Sequence, residues 1–251
     1  MADTAPPPTA PWPYPRWIAH RGAGKLAPEN TLAAFRLGAA HGYRMAECDV
    51  KLSADGVAFL LHDATLERTT NGQGLSSEHT WQQLQNLDAG QWHSPAFAGE
   101  PLPSLDTVAH WCHAQGVILN IEIKPVPGLE TETGRLVAQA ARQLWVHQAI
   151  PPLLTSFQVA SLDAARSAAP DLPRGLLLEH WRQDWLEQAR HLGCRALVGH
   201  HSLWNAHTVT RCRMAGLRTL AYTVNDGDTA QQLLDWGVDS LITDRVDTFS
   251  P

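Results

Sequence analysis

Eight short apolar runs punctuate this chain, and amphipathic stretches of helical period fill the gaps between them. The runs are Trp17 to Ala19, Met45 to Leu52, Ile118 to Lys124, Leu153 to Ser156, Gly175 to Leu178, Ala196 to Gly199, Thr219 to Val224 and Ser240 to Thr243. Each has the length of a strand, and the connections are long enough to hold a crossover helix, so the strands are expected to run parallel. The helical patterns cover Thr31 to His41, Leu105 to Gln115, Thr131 to His147, Val159 to Ala169, Asp184 to Leu192, Ala206 to Ala215 and Thr229 to Trp236. Asn30, Ser104 and Asp228 read as N-caps, while Gly42, Gly116, Gly193, Gly216 and Gly237 fall just past helix ends. Eight such strands in 251 residues predict a (β/α)8, or TIM, barrel, with a doubly wound open sheet as the alternative. A hydrophobic content of 44% supplies the core of one large domain.

One stretch breaks this rhythm. From His62 to Pro103 the chain is too long for a βα loop and carries turn signals at Asn71-Gly72-Gln73-Gly74 and Ala98-Gly99-Glu100. It reads as a small subdomain, about residues 63–103, inserted after the second strand and lying over the C-terminal mouth of the barrel. Its Trp92 and Phe97 are expected to pin it to the barrel rather than to touch a ligand. Residues 1–15, rich in proline, read as a flexible lead-in, with neither the basic start nor the apolar core of a signal peptide. A net charge of -6 excludes a broad nucleic-acid surface, so an anionic ligand must be met locally. Cys48, Cys112, Cys194 and Cys212 show no C-x-x-C spacing, which suits a reduced, cytoplasmic setting.

The chemistry gathers at strand ends. In Met45-Ala46-Glu47-Cys48-Asp49-Val50, alternation puts Glu47 and Asp49 on one strand face; in Ile121-Glu122-Ile123-Lys124 it pairs Glu122 with Lys124. Buried carboxylates need a partner, and three of them suit a hard divalent cation, Mg2+ or Ca2+, better than zinc. His20-Arg21-Gly22 closes the first strand and His62-Asp63 closes an extended run after the second. Arg21 and Lys124 can grip phosphate oxygens, and His20 and His62 can exchange protons near neutral pH. No activated Ser or Cys nucleophile is evident. His110, His113, His191, His200 and His201 lack such company and read as surface or core residues.

In order, the chain carries His20-Arg21-Gly22, Ala27-Pro28-Glu29-Asn30-Thr31, Glu47-Cys48-Asp49-Val50, His62-Asp63 and Leu66-Glu67-Arg68-Thr69-Thr70-Asn71-Gly72. Leu87-Asp88-Ala89-Gly90, Gly99 to Leu105, Glu122-Ile123-Lys124, Ser156-Phe157, Thr223-Val224-Asn225, Gly237-Val238-Asp239 and Thr243-Asp244 follow. From about Arg16 to Asp244 this resembles the glycerophosphodiester phosphodiesterases. The resemblance implies a TIM barrel with an insertion that hydrolyses glycerophosphodiesters, such as glycerophosphocholine or glycerophosphoethanolamine, to sn-glycerol 3-phosphate and an alcohol. It implies Glu47, Asp49 and Glu122 as metal ligands and His20 and His62 as the acid/base pair. Arg21, Lys124, Phe157 and Tyr222 are implied as substrate contacts, with Glu29 and Asn30 supporting the first loop. The family often has Trp where Tyr222 stands, which alters only the apolar wall of the site. The attacking group is either water or the substrate's own glycerol 2-hydroxyl. Two other functions fit a barrel of this kind: a phospholipase C or D type enzyme, and a catalytically silent barrel that binds glycerophosphodiesters. A stable membrane association is not expected of an acidic chain without a basic or apolar rim.

Overall fold

The computed structural model describes residues 12–251. In chain order the strands and helices begin β1 (Trp17–Ala19), α1 (Leu32–Ala40), β2 (Met45–Leu52), β3 (Ala58–Leu60), α2 (Trp81–Leu84), α3 (Leu105–Gln115), β4 (Ile118–Ile123) and α4 (Glu130–Leu144). They continue β5 (Leu153–Ser156), α5 (Val159–Ala168), β6 (Arg174–Leu178), α6 (Trp185–His191), β7 (Ala196–His200), α7 (Ala206–Met214), β8 (Arg218–Tyr222), α8 (Gly227–Asp235) and β9 (Ser240–Thr243). Apart from β3, these strands pair in parallel around a ring, from β1 through β2, β4, β5, β6, β7 and β8 to β9. The ring closes where β9 pairs with β1 over Trp17↔Leu241 to Ala19↔Thr243. The expected barrel is therefore present, and the open sheet is excluded by that closure.

Side-chain parity explains where the site lies. Inward positions near the N-terminal ends are apolar: Ile18, Met45, Leu153, Leu177, Ala196, Val198, Leu220 and Ile242 form one buried cluster. One or two steps further along the same faces stand His20, Glu47, Asp49, Glu122 and Thr155, so the barrel interior changes from apolar to charged along its axis. Outward positions such as Ala19, Cys48, Val50, Leu119 and Ile121 meet the helices in a second, larger core.

β3 runs antiparallel to the end of β2, Val50↔Leu60 to Leu52↔Ala58, and carries the chain into the inserted segment. That segment has its own small core of Phe59, Leu61, Leu66, Leu84, Ala89 and Leu102. His93, edge-on to both Trp92 and Phe97, bonds Lys25 O, and Phe97 packs on the barrel core as expected, whereas Trp92 is exposed and its Nε1 donates to Ala89 O within the segment itself.

Three readings are corrected. Residues 1–11 of the proline-rich start lie outside the described residues, but from Trp12 the chain packs: Tyr14 is buried under the barrel and donates to Pro151 O at 3.0 Å. Helix α1 is capped by Thr31, whose hydroxyl accepts from Ala34 N; Asn30 instead takes a left-handed φ of 60° and turns its amide to β2. Helix α8 is capped by Asp226 rather than Asp228. Among the described residues no helix is long and apolar enough to cross a membrane.

Candidate active site

The turn after β1 is held in an unusual shape. Arg21 has φ 49° and Gly22 φ 98°, left-handed conformations that strain a side-chain-bearing residue but suit glycine. The turn aims Arg21 N at Glu47 Oε2, 3.1 Å away, and sends the Arg21 guanidinium to Glu29 Oε1 at 2.8 Å. Arg21 Nε lies 3.3 Å from Asp49 Oδ2 but makes no hydrogen bond among the described residues, which leaves a buried donor for a ligand oxygen.

Asp49 is the best-satisfied carboxylate. Asn30 Nδ2 donates to its Oδ2 at 2.8 Å, Asp49 N donates back to Asn30 Oδ1 at 3.0 Å, and Lys124 Nζ stands 3.2 Å from Oδ1. Burial alone would raise its pKa, yet Lys124 and Arg21 hold it far below the usual carboxylate range. Glu122 accepts from Lys124 Nζ at 2.9 Å, while Lys51, buried in the same face of β2, donates to Lys124 O at 2.9 Å. Burial first and the Asp49 charge second push the pKa values of Glu47 and Glu122 up.

Glu47, Asp49 and Glu122 each offer an oxygen, all within 4.8 Å of one another, and all three residues are buried. Arg21 and Lys124 act most strongly on Asp49, while Glu47 and Glu122, raised chiefly by burial, are less well compensated. Three buried carboxylates converging on one point form a set of hard oxygen donors that fits a divalent metal ion.

Both histidines are tied to an aspartate. His20 Nδ1 is 2.6 Å from Asp244 Oδ1, and His62 Nδ1 is 2.7 Å from Asp63 Oδ1. Burial opposes a charge on His20, but Asp244 and Glu47 outweigh it and its pKa is raised. For His62 burial prevails and the pKa is lowered. Both rings line one cavity of about 160 Å³ with Arg21, Glu47, Glu122, Lys124, Phe157 and Tyr222. Phe157 meets Tyr222 edge to face at 5.9 Å, and Tyr222 Oη donates to Leu178 O.

The structure thus brings together every residue named as ligand, acid/base group or substrate contact, with Asp49, Asn30 and Glu29 standing just behind the cavity wall. Three others had no assigned role: Asp244, Lys51 and Arg68. Asp244 follows β9, the neighbour of β1, so barrel closure sets it beside His20; only the closed topology would have paired them.

The model of the glycerophosphoryl diester phosphodiesterase family matches residues 20–248. A glycerophosphodiester phosphodiesterase of Caldanaerobacter subterraneus subsp. tengcongensis is 33% identical over 239 residues, 92% of this chain and 94% of the relative. Among solved structures, an Oleispira antarctica phosphodiesterase in complex with the product sn-glycerol-3-phosphate superposes with a TM-score of 0.86 at 35% identity, over 92% of this chain and 93% of the other. A glycerophosphodiester phosphodiesterase of Agrobacterium tumefaciens gives 0.79 at 28% identity, over 94% and 99%. With the barrel, the acidic cluster and the family match in agreement over nearly its whole length, this chain belongs to the glycerophosphoryl diester phosphodiesterase family.

Proposed function

We propose that this protein hydrolyses glycerophosphodiesters to sn-glycerol 3-phosphate and an alcohol, with a divalent metal ion held by Glu47, Asp49 and Glu122. The observation that carries the reading is the convergence of two Asp–His pairs, an acidic cluster and two cations on one cavity. When bound, the metal would offset the negative charge that makes a phosphodiester resist attack. Mg2+ and Ca2+ both suit an all-oxygen site.

The rest falls to the side chains. Asp244 and Asp63 are held ionised, the first by its bond to His20 against the effect of burial, the second chiefly by Arg68. An ionised carboxylate can only accept, so the Nδ1 proton of each histidine lies toward its aspartate and Nε2 is left to exchange protons with the substrate. One ring would deprotonate the attacking hydroxyl, of water or of the glycerol itself, and the other would protonate the leaving alcohol. Arg21, with a donor to spare, and Lys124 would hold the phosphate oxygens as charge builds on them.

Phe157 and Tyr222 supply a ring wall for the organic part of the substrate. Burial, more than the charges of Glu179 and Glu122, raises the Tyr222 pKa, so the phenol stays neutral and the wall is built of ring faces. A cationic alcohol such as choline or ethanolamine would be favoured there. The four free thiols, three of them buried, support a reducing, cytoplasmic compartment. The test is protein stripped of metal and assayed on glycerophosphocholine and glycerophosphoethanolamine, with Mg2+ or Ca2+ restored. Release of sn-glycerol 3-phosphate should depend on the added ion, and full activity in excess chelator would overturn the reading.

A further inference from the structure

Arg68 sits on the inserted segment outside the cavity, with its side chain 43% exposed. In the chemistry above it serves only to hold Asp63 ionised. Its guanidinium nevertheless grips two carboxylates at once. Nε donates to Asp63 Oδ2 at 2.6 Å and Nη2 to Asp63 Oδ1 at 2.9 Å, while Nη1 donates to Glu29 Oε2 at 2.9 Å and Nη2 to Glu29 Oε1 at 2.8 Å.

Those carboxylates come from different parts of the molecule and are already engaged. Glu29, on the connection between β1 and α1, accepts from Arg21 Nη1 at 2.8 Å. Asp63, just beyond β3, accepts from His62 Nδ1 at 2.7 Å. A continuous chain of charged hydrogen bonds therefore runs Arg21, Glu29, Arg68, Asp63, His62, with Arg68 at its centre. An exposed ion pair by itself adds little to a protein. Here the geometry differs, because the fork is bidentate toward both partners and each partner orients a group facing the substrate. Lysine could not replace it, since a single ammonium lacks the planar set of donors that spans two carboxylates. Without the guanidinium, two anions that share its Nη2 would face each other and move apart, taking Arg21 and His62 out of register.

We propose that Arg68 is a positioning residue that fixes His62 relative to Arg21, locking the inserted segment onto the first loop in the geometry that turnover needs. The inference rests on the proton-transfer and phosphate roles proposed for those two residues.

The test compares R68A and R68K with H62A and R21A on glycerophosphocholine, with folding checked by circular dichroism and thermal melting. R68A should lower kcat about 10²-fold, the order expected of a small misplacement of reacting groups, with a smaller rise in KM. R68K should share most of that loss. Guanidinium ion at concentrations far below denaturing should restore much of the R68A activity, whereas ammonium should not, and neither should rescue H62A. A purely structural role would not produce that selectivity. The proposal is overturned if R68A stays within about twofold of wild-type kcat, if R68K is fully active, or if ammonium rescues as well as guanidinium. Should R68A fail to fold, R68K decides by the same kcat criterion. Loss of activity in H62A and R21A but not in the Arg68 variants would remove this inference alone; wild-type turnover in H62A and R21A would remove the reading beneath it.

Discussion

Glu122 illustrates how single residues here trade stability for chemistry. Its burial beside Asp49 penalises its charge, so Glu122→Gln, which keeps the shape and can still accept from Lys124, should leave the metal-free melting temperature undiminished. Divalent-ion affinity and turnover should each fall by more than the roughly 10–100-fold typical of outer-sphere changes at metal sites. Titration calorimetry and the activity assay check both, and unchanged affinity would remove Glu122 from the ligand set. Asp244 gives a pH signature. Its folded pKa is lowered to about 2, so the stability it contributes is present above the ordinary aspartate value of about 3.9 and is lost as pH falls through the folded value. The same pair raises the His20 pKa, so that contribution is full below about 6.5 and fades as pH rises through the folded value. Asp244→Asn should therefore destabilise by about 2 kcal/mol at most within that window, with the difference shrinking on both sides. A flat difference in melting temperature from pH 2 to 9 would contradict the His20–Asp244 pairing. At this scale the carboxylate and histidine motifs were readable because strand alternation alone assigns their faces. Arg68 was not, because its partners Glu29 and Asp63 lie 39 and 5 residues away on irregular chain.

The elements carry these residues by tight backbone contact. Gly38 lies in α1, and a Cβ built there would come within 2.1 Å of Gly22 O, in the very turn that presents His20 and Arg21. Gly38→Ala would gain about 1 kcal/mol of helix propensity, but overpacking against backbone costs about 1–3 kcal/mol, so the contact should win. Expected are a lower melting temperature and a fall in kcat at temperatures where the variant is fully folded. An active, stabilised variant would mean that the turn is free to shift. The strands and most helices were legible to within a few residues because apolar periodicity and the closing glycines mark them. The caps of α1 and α8 were misplaced for a physical reason: Asn30 and Asp228 are good capping types, but Asn30 is drawn to Asp49 and Asp226 reaches Thr229 N. β3 was read only as an extended run, since three residues carry little pattern and its pairing with β2 is a tertiary contact.

The whole molecule divides its labour along the barrel axis, with an apolar plug at one end and a charged mouth at the other. Tyr14 belongs to the plug, far from the chemistry, so Tyr14→Ala should cost about 3–5 kcal/mol in stability while leaving kcat and KM of the folded protein near wild type. Denaturant unfolding and steady-state kinetics check it; a large kcat loss would mean that the two ends are coupled. The barrel itself was legible from eight alternating strands, whereas Tyr14 was taken for lead-in because proline-rich composition hides a single anchoring ring. Closure also has a consequence in time. His20 and its partner Asp244 are 224 residues apart, and β1 meets β9 only when both ends of the barrel have formed. In a chain emerging from the ribosome His20 would arrive with β1, yet its orienting carboxylate would follow only after β9. Catalysis would then appear late and abruptly during folding, and the onset of turnover in a refolding experiment would time the moment the ring shuts.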